Sequence, residues 1–239
     1  LDYISKDKTE TENYDEIMLR ICKRLSAAKE EQEQTAENLK RLEELLDGVL
    51  WLYDNLLASE IAALLKNWSG GTRALERALA AACARVSSDT GLIDCRVPML
   101  KDGTAALLYL EEYRKEFILA SERETENIYA RLKTAARFVW ENGKRQIQAV
   151  DVANAINFSR SYFSVSFKKI LGITFNTFLR RERIFHAQRL LKSTTLPQLE
   201  IAYQIGYEDL RNFKNVFCEI TGMTTTQYRK LFLTTQKNK

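Results

Sequence analysis

From Met18 onward, apolar residues return at every third or fourth position. Met18, Ile21, Leu25 and Ala28 come first, a polar break follows at Gln32 and Thr35, and the rhythm resumes with Leu39, Leu42, Leu46, Val49, Tyr53 and Leu56. Glu, Lys and Arg fill the positions between. This is a heptad seam, and it predicts a single helix about 60 Å long. A helix so polar outside its seam has only another helix to bury against. Residues 18–56 therefore predict a parallel homodimer, with an intramolecular helical hairpin as the alternative. "WSGGT" at 68–72 predicts a loop with Thr72 as helix cap, "SSDTG" at 87–91 a turn, and "LIDCRVPML" at 92–100 a short strand. Helix resumes near Thr104, and Ile128, Leu132, Ala135 and Val139 keep the helical rhythm up to "ENG" at 141–143.

The next hundred residues say the same thing twice. Ala153, Asn157, Phe163, Phe167, Gly172, Thr174 and Phe178 are followed by Ala202, Gly206, Phe213, Phe217, Gly222, Thr224 and Tyr228. In each copy a small residue lets two helices approach. Four positions later comes Asn or Gly, residues that tolerate a left-handed backbone and end a helix. Two rings four apart then mark the inner face of a further helix. Helix, tight turn and second helix with a buried face make a helix-turn-helix. Between the copies, "FNTFLRRERIFHAQRLLK" at 175–192 has no breaker and predicts a rod of roughly 27 Å, close to the ~34 Å of one turn of B-DNA. The chain therefore carries two readers for a target that repeats every turn. The fold class expected is all-α: a long coiled-coil-like helix, a helical middle region, then two helix-turn-helix units.

Charge sharpens this picture. Residues 131–239 hold 19 Lys and Arg against 7 Asp and Glu, while the preceding residues hold 17 against 25. A basic half seeks a polyanion. Four scattered cysteines without a CxxC, and the single histidine His186, offer neither a zinc site nor a disulfide framework and suit reduced thiols in the cytoplasm. His186 reads as a surface histidine. No stretch of 18 apolar residues is present, so no membrane span is expected. The opening "LDYISKDKTE" is neither a signal peptide nor an initiator start and reads as a cut. No Ser/His/Asp set, phosphate loop or metal cluster is visible, so neither enzyme activity nor a cofactor is expected.

"FSRSYFSVSFKKILGITFNTFLRRERIFHAQRLL" and "IAYQIGYEDLRNFKNVFCEITGMTTTQYRK" together resemble the DNA-binding domain of AraC/XylS-type transcription regulators over roughly residues 132–231. "A..LL", "IA..IGY" and the closing "G.T...YR" stand in that family's order. The resemblance implies two helix-turn-helix units joined by one helix, with promoter DNA and RNA polymerase as partners. Five positions depart from the family pattern. Thr225 stands for the usual proline, Cys218-Glu219 for a basic pair, Gln198 for an aliphatic residue, and Val165 for a position often polar. The N-terminal half lacks the alternating strands of that family's sugar-binding barrel. "LDYISKDKTETENYDEIMLRICKRLSAAKEE" instead resembles the end of a two-component receiver domain, with Lys6 as its closing lysine and Asp7 where proline is usual. That layout resembles YesN-like response regulators.

Three regions result: 1–60, a receiver-tail-like segment and coiled-coil helix; 61–130, a mostly helical linker or regulatory region; and 131–239, the DNA-binding domain. Carrying over the family's base-reading positions gives Ser161, Ser164, Val165, Leu210, Arg211, Asn212 and Asn215. Arg suits guanine edges and Asn adenine. Phosphate contacts fall to Lys168, Lys169, Arg180, Arg181, Lys214, Arg229 and Lys230. Arg183 has either a structural ion-pair role or a DNA role, and Tyr162 and Tyr207 read as core. The expected function is a DNA-binding transcription regulator, the output part of a two-component system. The alternatives are a coiled-coil adaptor and a one-component regulator that senses a ligand through its helical N-terminal half.

Overall fold

The computed structural model describes residues 14–123, 127–143 and 146–236. The receiver-like segment around Lys6 lies outside them. Within the described residues the fold is all-α, without a strand, and no helix is long and apolar enough to cross a membrane.

The first helix, α1 (Tyr14–Leu45), stops well short of Leu56. Gly48 takes a left-handed φ of 65°, which no other residue in "LLDGVL" adopts without strain. A 3-10 turn (Leu50–Leu52) follows, and Asp54 then caps α2 (Asn55–Lys66) by accepting the Leu57 N–H at 2.8 Å. The predicted seam therefore divides in two. Leu42, Leu46, Val49, Tyr53 and Leu56 are buried in the chain's own core, whereas Met18, Ile21 and Leu25 are 42%, 42% and 65% exposed. The single 60 Å helix is corrected to a shorter one. From Met18 its N-terminal turns are exposed to solvent, and its end packs on the chain's own core.

Helices α3 (Thr72–Thr90), α4 (Gly103–Arg123) and α5 (Ile128–Asn142) complete the middle of the chain. The expected strand at 92–100 is instead an irregular connector. Leu92, Ile93, Cys95 and Val97 pack sideways on the core, and the Leu100 N–H donates to Glu76 Oε1 at 2.7 Å. Apolar side chains alternating with charges suit such a strap as well as a strand, because only a partner edge distinguishes the two. Tyr53 ties the start of α5 to the first core by donating its hydroxyl hydrogen to Tyr129 O at 3.0 Å.

The repeats form α6 (Ala149–Ala155) and α7 (Arg160–Leu171), then the rod α8 (Phe175–Ser193), then α9 (Gln198–Gln204), α10 (Leu210–Thr221) and a closing helix α11 (Thr225–Gln236). Two hydrophobic cores result. One runs from Leu42 through α2–α7 to Phe178 and Leu179 at the start of α8. The other gathers Ile184, Ala187 and Leu191 from the rest of α8 with α9, α10 and α11. The first repeat therefore shares its core with the N-terminal helices, and α8 passes from one core into the other.

Candidate nucleic-acid interface

Both turns are built as the repeat demands. Asn157 has φ 57° and Gly206 φ 87°. The following residue closes each turn: Phe158 N–H donates to Ala153 O at 2.8 Å, and Tyr207 N–H to Ala202 O at 2.9 Å. The second copy then takes one residue more before its cap. Ser159 caps α7 by accepting the Tyr162 N–H at 3.2 Å, and Asp209 caps α10 by accepting the N–H groups of Arg211 and Asn212 at 3.0 and 2.9 Å. These two backbone bonds, Asn212 first, hold the Asp209 carboxyl below its usual range.

Inside, the rings pack in pairs, tilted in the first unit and edge to face in the second. Phe163 and Phe167 lie 5.2 Å apart, Phe213 and Phe217 5.8 Å apart, and all four are fully buried. With those faces fixed, the helical period presents the opposite side to solvent. On α7 the exposed residues include Ser161, Ser164, Val165, Lys168 and Lys169. On α10 they include Arg211, Asn212, Lys214 and Asn215, with Leu210 half-buried at its start. All seven base-reading candidates lie on these two helices, six of them exposed. Tyr162 departs from expectation: it is 52% exposed, leaning edge-on against Phe158 beside the reading face. Tyr207 is buried as expected.

The cations separate into two groups. Lys168, Lys169, Lys214 and Lys230 are exposed. Arg180 reaches Glu219 at 2.8 Å across the two units, in a pair open to solvent; such pairs contribute little and leave the guanidinium accessible. Arg229 donates to Leu196 O at 2.6 Å, which holds α11 to the loop before α9. Arg181 has a different role from a phosphate contact. Its Nε donates to Asp54 Oδ2, its Nη2 reaches Oδ1 at 3.5 Å, and Asp54 is completely buried. A buried carboxylate needs such a partner, so Arg181 belongs to the joint between α2 and α8. Arg183 is structural too: Nε donates to Gly143 O at 3.0 Å and the guanidinium lies 5.7 Å over the Tyr207 ring. Its head fills the space above Gly206, where an added Cβ would come within 2.8 Å of Nη2 and 2.9 Å of Gly143 O. His186 is half-buried rather than a surface residue, its ring 4.0 Å from that of Trp140.

Beside Arg181, Glu182 is only 2% exposed. Its Oε1 accepts the Asn55 N–H and its Oε2 the Asn55 side-chain amide, both at 2.9 Å. Asn55 Oδ1 in turn accepts from Arg114 Nη2 at 2.9 Å, and Arg114 Nε donates to Leu52 O at 3.0 Å. Burial pushes the Glu182 carboxyl up to about 7; the Asn55 bonds and Arg114 pull the other way, and Asp54 pushes with burial. Nothing local in "LRRERI" revealed this joint. The one available signal was an acidic residue on the inward stripe of a rod otherwise rich in Arg.

Two departures from the family pattern prove to be one. Gln198 Nε2 donates to Thr226 Oγ1, and Thr225 Oγ1 donates to Gln198 Oε1, both at 3.0 Å. Thr225 is 2% exposed, so its hydroxyl needs that acceptor. The polar residue at the start of α9 and the threonine replacing proline at the start of α11 satisfy each other.

A family model described as "Helix-turn-helix domain" matches residues 152–231. Both turns, at Asn157 and Gly206, lie within those residues. This domain is similar to part of an uncharacterized HTH-type transcriptional regulator, YisR, of Bacillus subtilis (strain 168): 33% identity over 97 residues, 41% of this chain and 34% of that protein. It is also similar to the HTH-type transcriptional activator RhaR of Salmonella heidelberg (strain SL476), 46% identical over 65 residues, 27% of this chain and 23% of the relative. The chain thus spans about a third or less of these curated relatives. Among solved structures, the C-terminal domain of the two-component response regulator yesN from Fusobacterium nucleatum subsp. nucleatum ATCC 25586 aligns with a TM-score of 0.38 and 32% identity, covering 40% of this chain and 93% of that one.

Proposed function

We propose that this chain is a sequence-specific DNA-binding transcription regulator, in which α7 and α10 enter successive major grooves of promoter DNA. One observation carries the reading: two helices with the same buried ring pair, each exposing its opposite face, flank one unbroken rod, α8, about 28 Å long. In this reading Ser161, Ser164, Val165, Leu210, Arg211, Asn212 and Asn215 read bases, and Lys168, Lys169, Lys214, Lys230 and the accessible Arg180 hold phosphates. Residues 131–239 are the reading part and 61–130 the regulatory part. Selection from random duplex DNA with the whole chain tests this. A site with two half-sites about one turn apart is expected, and no enrichment over bulk DNA would overturn the reading. The whole chain is needed because the first reader shares its core with α2–α5.

The free turns of α1 complete the proposal. Met18, Ile21 and Leu25 keep seam spacing on an exposed surface, which suits a second copy packed in parallel. Ile21→Glu with Leu25→Glu should give a folded monomer in sedimentation, and a wild-type chain that is itself monomeric removes the dimer. Recruitment of RNA polymerase at the promoter belongs to the same proposal. So does the role of two-component output, which rests on the sequence around Lys6 and is checked by whether a phosphorylated receiver changes DNA affinity.

A further inference from the structure

Between α2, α4 and α8 lies a cleft of about 200 Å³. Ile61, Ala62, Leu107 and Leu110 give it apolar walls, Phe185 lines it from the rod, and Asn55 and Arg114 face it among polar residues that include Ser59 and Glu111. An apolar cavity of roughly 150 Å³ accepts a benzene ring, so a body of that size has room here. Arg114 engages Leu52 O through Nε and Asn55 Oδ1 through one Nη2 hydrogen. A guanidinium has five such donors, so it keeps donors for a further acceptor. Glu182 meets Arg114 through Asn55 rather than face to face.

We propose that this cleft binds a compact monocarboxylate with an aromatic or branched hydrocarbon body, its carboxylate on Arg114, and that binding is passed to α8 through Asn55 and Glu182. The inference rests on the DNA-reading function proposed above for its consequence, though not for the binding itself. A partly buried arginine at the end of an apolar cleft favours a planar anion, which it holds with two parallel bonds. The newcomer competes for the Asn55–Arg114 pair that now secures Glu182, and α8 is the rod that spaces the two readers.

Two carboxylates around one guanidinium are not both comfortably charged. The charges acting on Glu182 are Asp54 at the start of α2 and Arg114 on α4. Arg181, its neighbour on α8, is held by Asp54, and the exposed Glu111 stands at the cleft. Burial has already raised the Glu182 carboxyl to about 7, so Glu182 takes up a proton as the anion enters. Affinity for the anion should then weaken as pH rises past that value, by up to about tenfold per unit.

The test is calorimetric titration of the whole chain with phenylacetate and cyclohexanecarboxylate, with the neutral phenylacetamide beside them. Saturable binding at pH 6 is expected, at least about tenfold weaker for the amide. It should weaken above pH 7 in the wild type, lose that pH dependence in Glu182→Gln, and vanish in Ala62→Phe, which fills the cleft. No binding of either acid at ~10 mM, where the affinity would be too weak to discriminate, overturns the site; so does unchanged binding in an Ala62→Phe chain that unfolds normally. Saturable binding that leaves DNA affinity unchanged overturns the link to α8. A chain that binds its DNA site but neither acid sinks this inference and leaves the DNA reading standing; one that binds the acids but no DNA does the reverse.

Discussion

The two helix-turn-helix units are near copies in backbone and opposites in their surroundings. Each has a seven-residue first helix, a left-handed turn residue and a twelve-residue second helix. Yet Phe163 and Phe167 belong to a core that reaches back to Leu42, while Phe213 and Phe217 belong to a small one closed by α11. Their outer faces differ as well. Unit one offers two serines, a valine and two lysines; unit two offers Arg211, Asn212 and Asn215, whose side chains can make paired bonds to base edges. A repeat therefore specifies a reader, and what lies behind the reader decides whether the rest of the chain can act on it. The first unit is built into the N-terminal helices; the second is reached along α8 and through the Gln146–Glu208 bond, at 2.9 Å.

The strongest way to break the comparison is to empty each core in the same manner. Phe167→Ala and Phe217→Ala should each cost about 3–5 kcal/mol. Hydrogen exchange should show the first loosening α2 to α7 together and the second loosening α9 to α11 alone. Matching patterns would mean that the two cores unfold as one.

The joint comes next. Arg181→Ala leaves Asp54 buried without its cation and should cost about 3 kcal/mol in urea unfolding, against almost nothing for the exposed Lys169→Ala. Glu182 adds a pH signature. Its folded carboxyl is raised to about 7, so the folded chain keeps a proton that the unfolded chain releases. Its contribution is fully present below about pH 4 and is lost as pH rises from there through 7, at up to about 1.4 kcal/mol per unit. Glu182→Gln should flatten that slope, and an unchanged slope would place its cause elsewhere.

On DNA the difference lies between reading and holding. Arg211→Ala should cost roughly 1–3 kcal/mol on the best site and relax preference at one or two base pairs. Lys169→Ala should weaken all sequences alike and lower the salt dependence by about one ion. Val165→Ala should matter less than either; a first half-site more stringent than the second would reverse the ranking of the units. The smallest effect belongs to a cap: Ser159→Ala should lower stability by about 1 kcal/mol, read as a shift in the urea midpoint.

The repeat was legible because its signals are local. Asn157 and Gly206 mark turns through their own backbone preferences, and paired rings mark buried faces through helical spacing. The failures were all long-range. The seam rhythm continued through Gly48 because the same spacing serves a coiled coil and a helix folded back on its own core. Arg181 could not be told from Arg180 until α2 brought Asp54 beside it. Tyr162 carries a ring that chemistry would bury, but the turn of α7 sets it among the outward residues. Gln198 and Thr225 looked like two losses because 27 residues separate partners that touch.

At Gly206 the room for a side chain is taken by the Arg183 guanidinium and the Gly143 carbonyl. There the turn of the second unit seats against the rod and the end of α5. A methyl group at that point would strain the left-handed turn and press on that carbonyl, so the second unit could not keep its present seat. In the proposed reading, where about 34° of duplex twist is one base pair, a shifted seat is a change of address. The hydrogen of one glycine thus guards the phase in which the two proposed readers would meet their words on DNA.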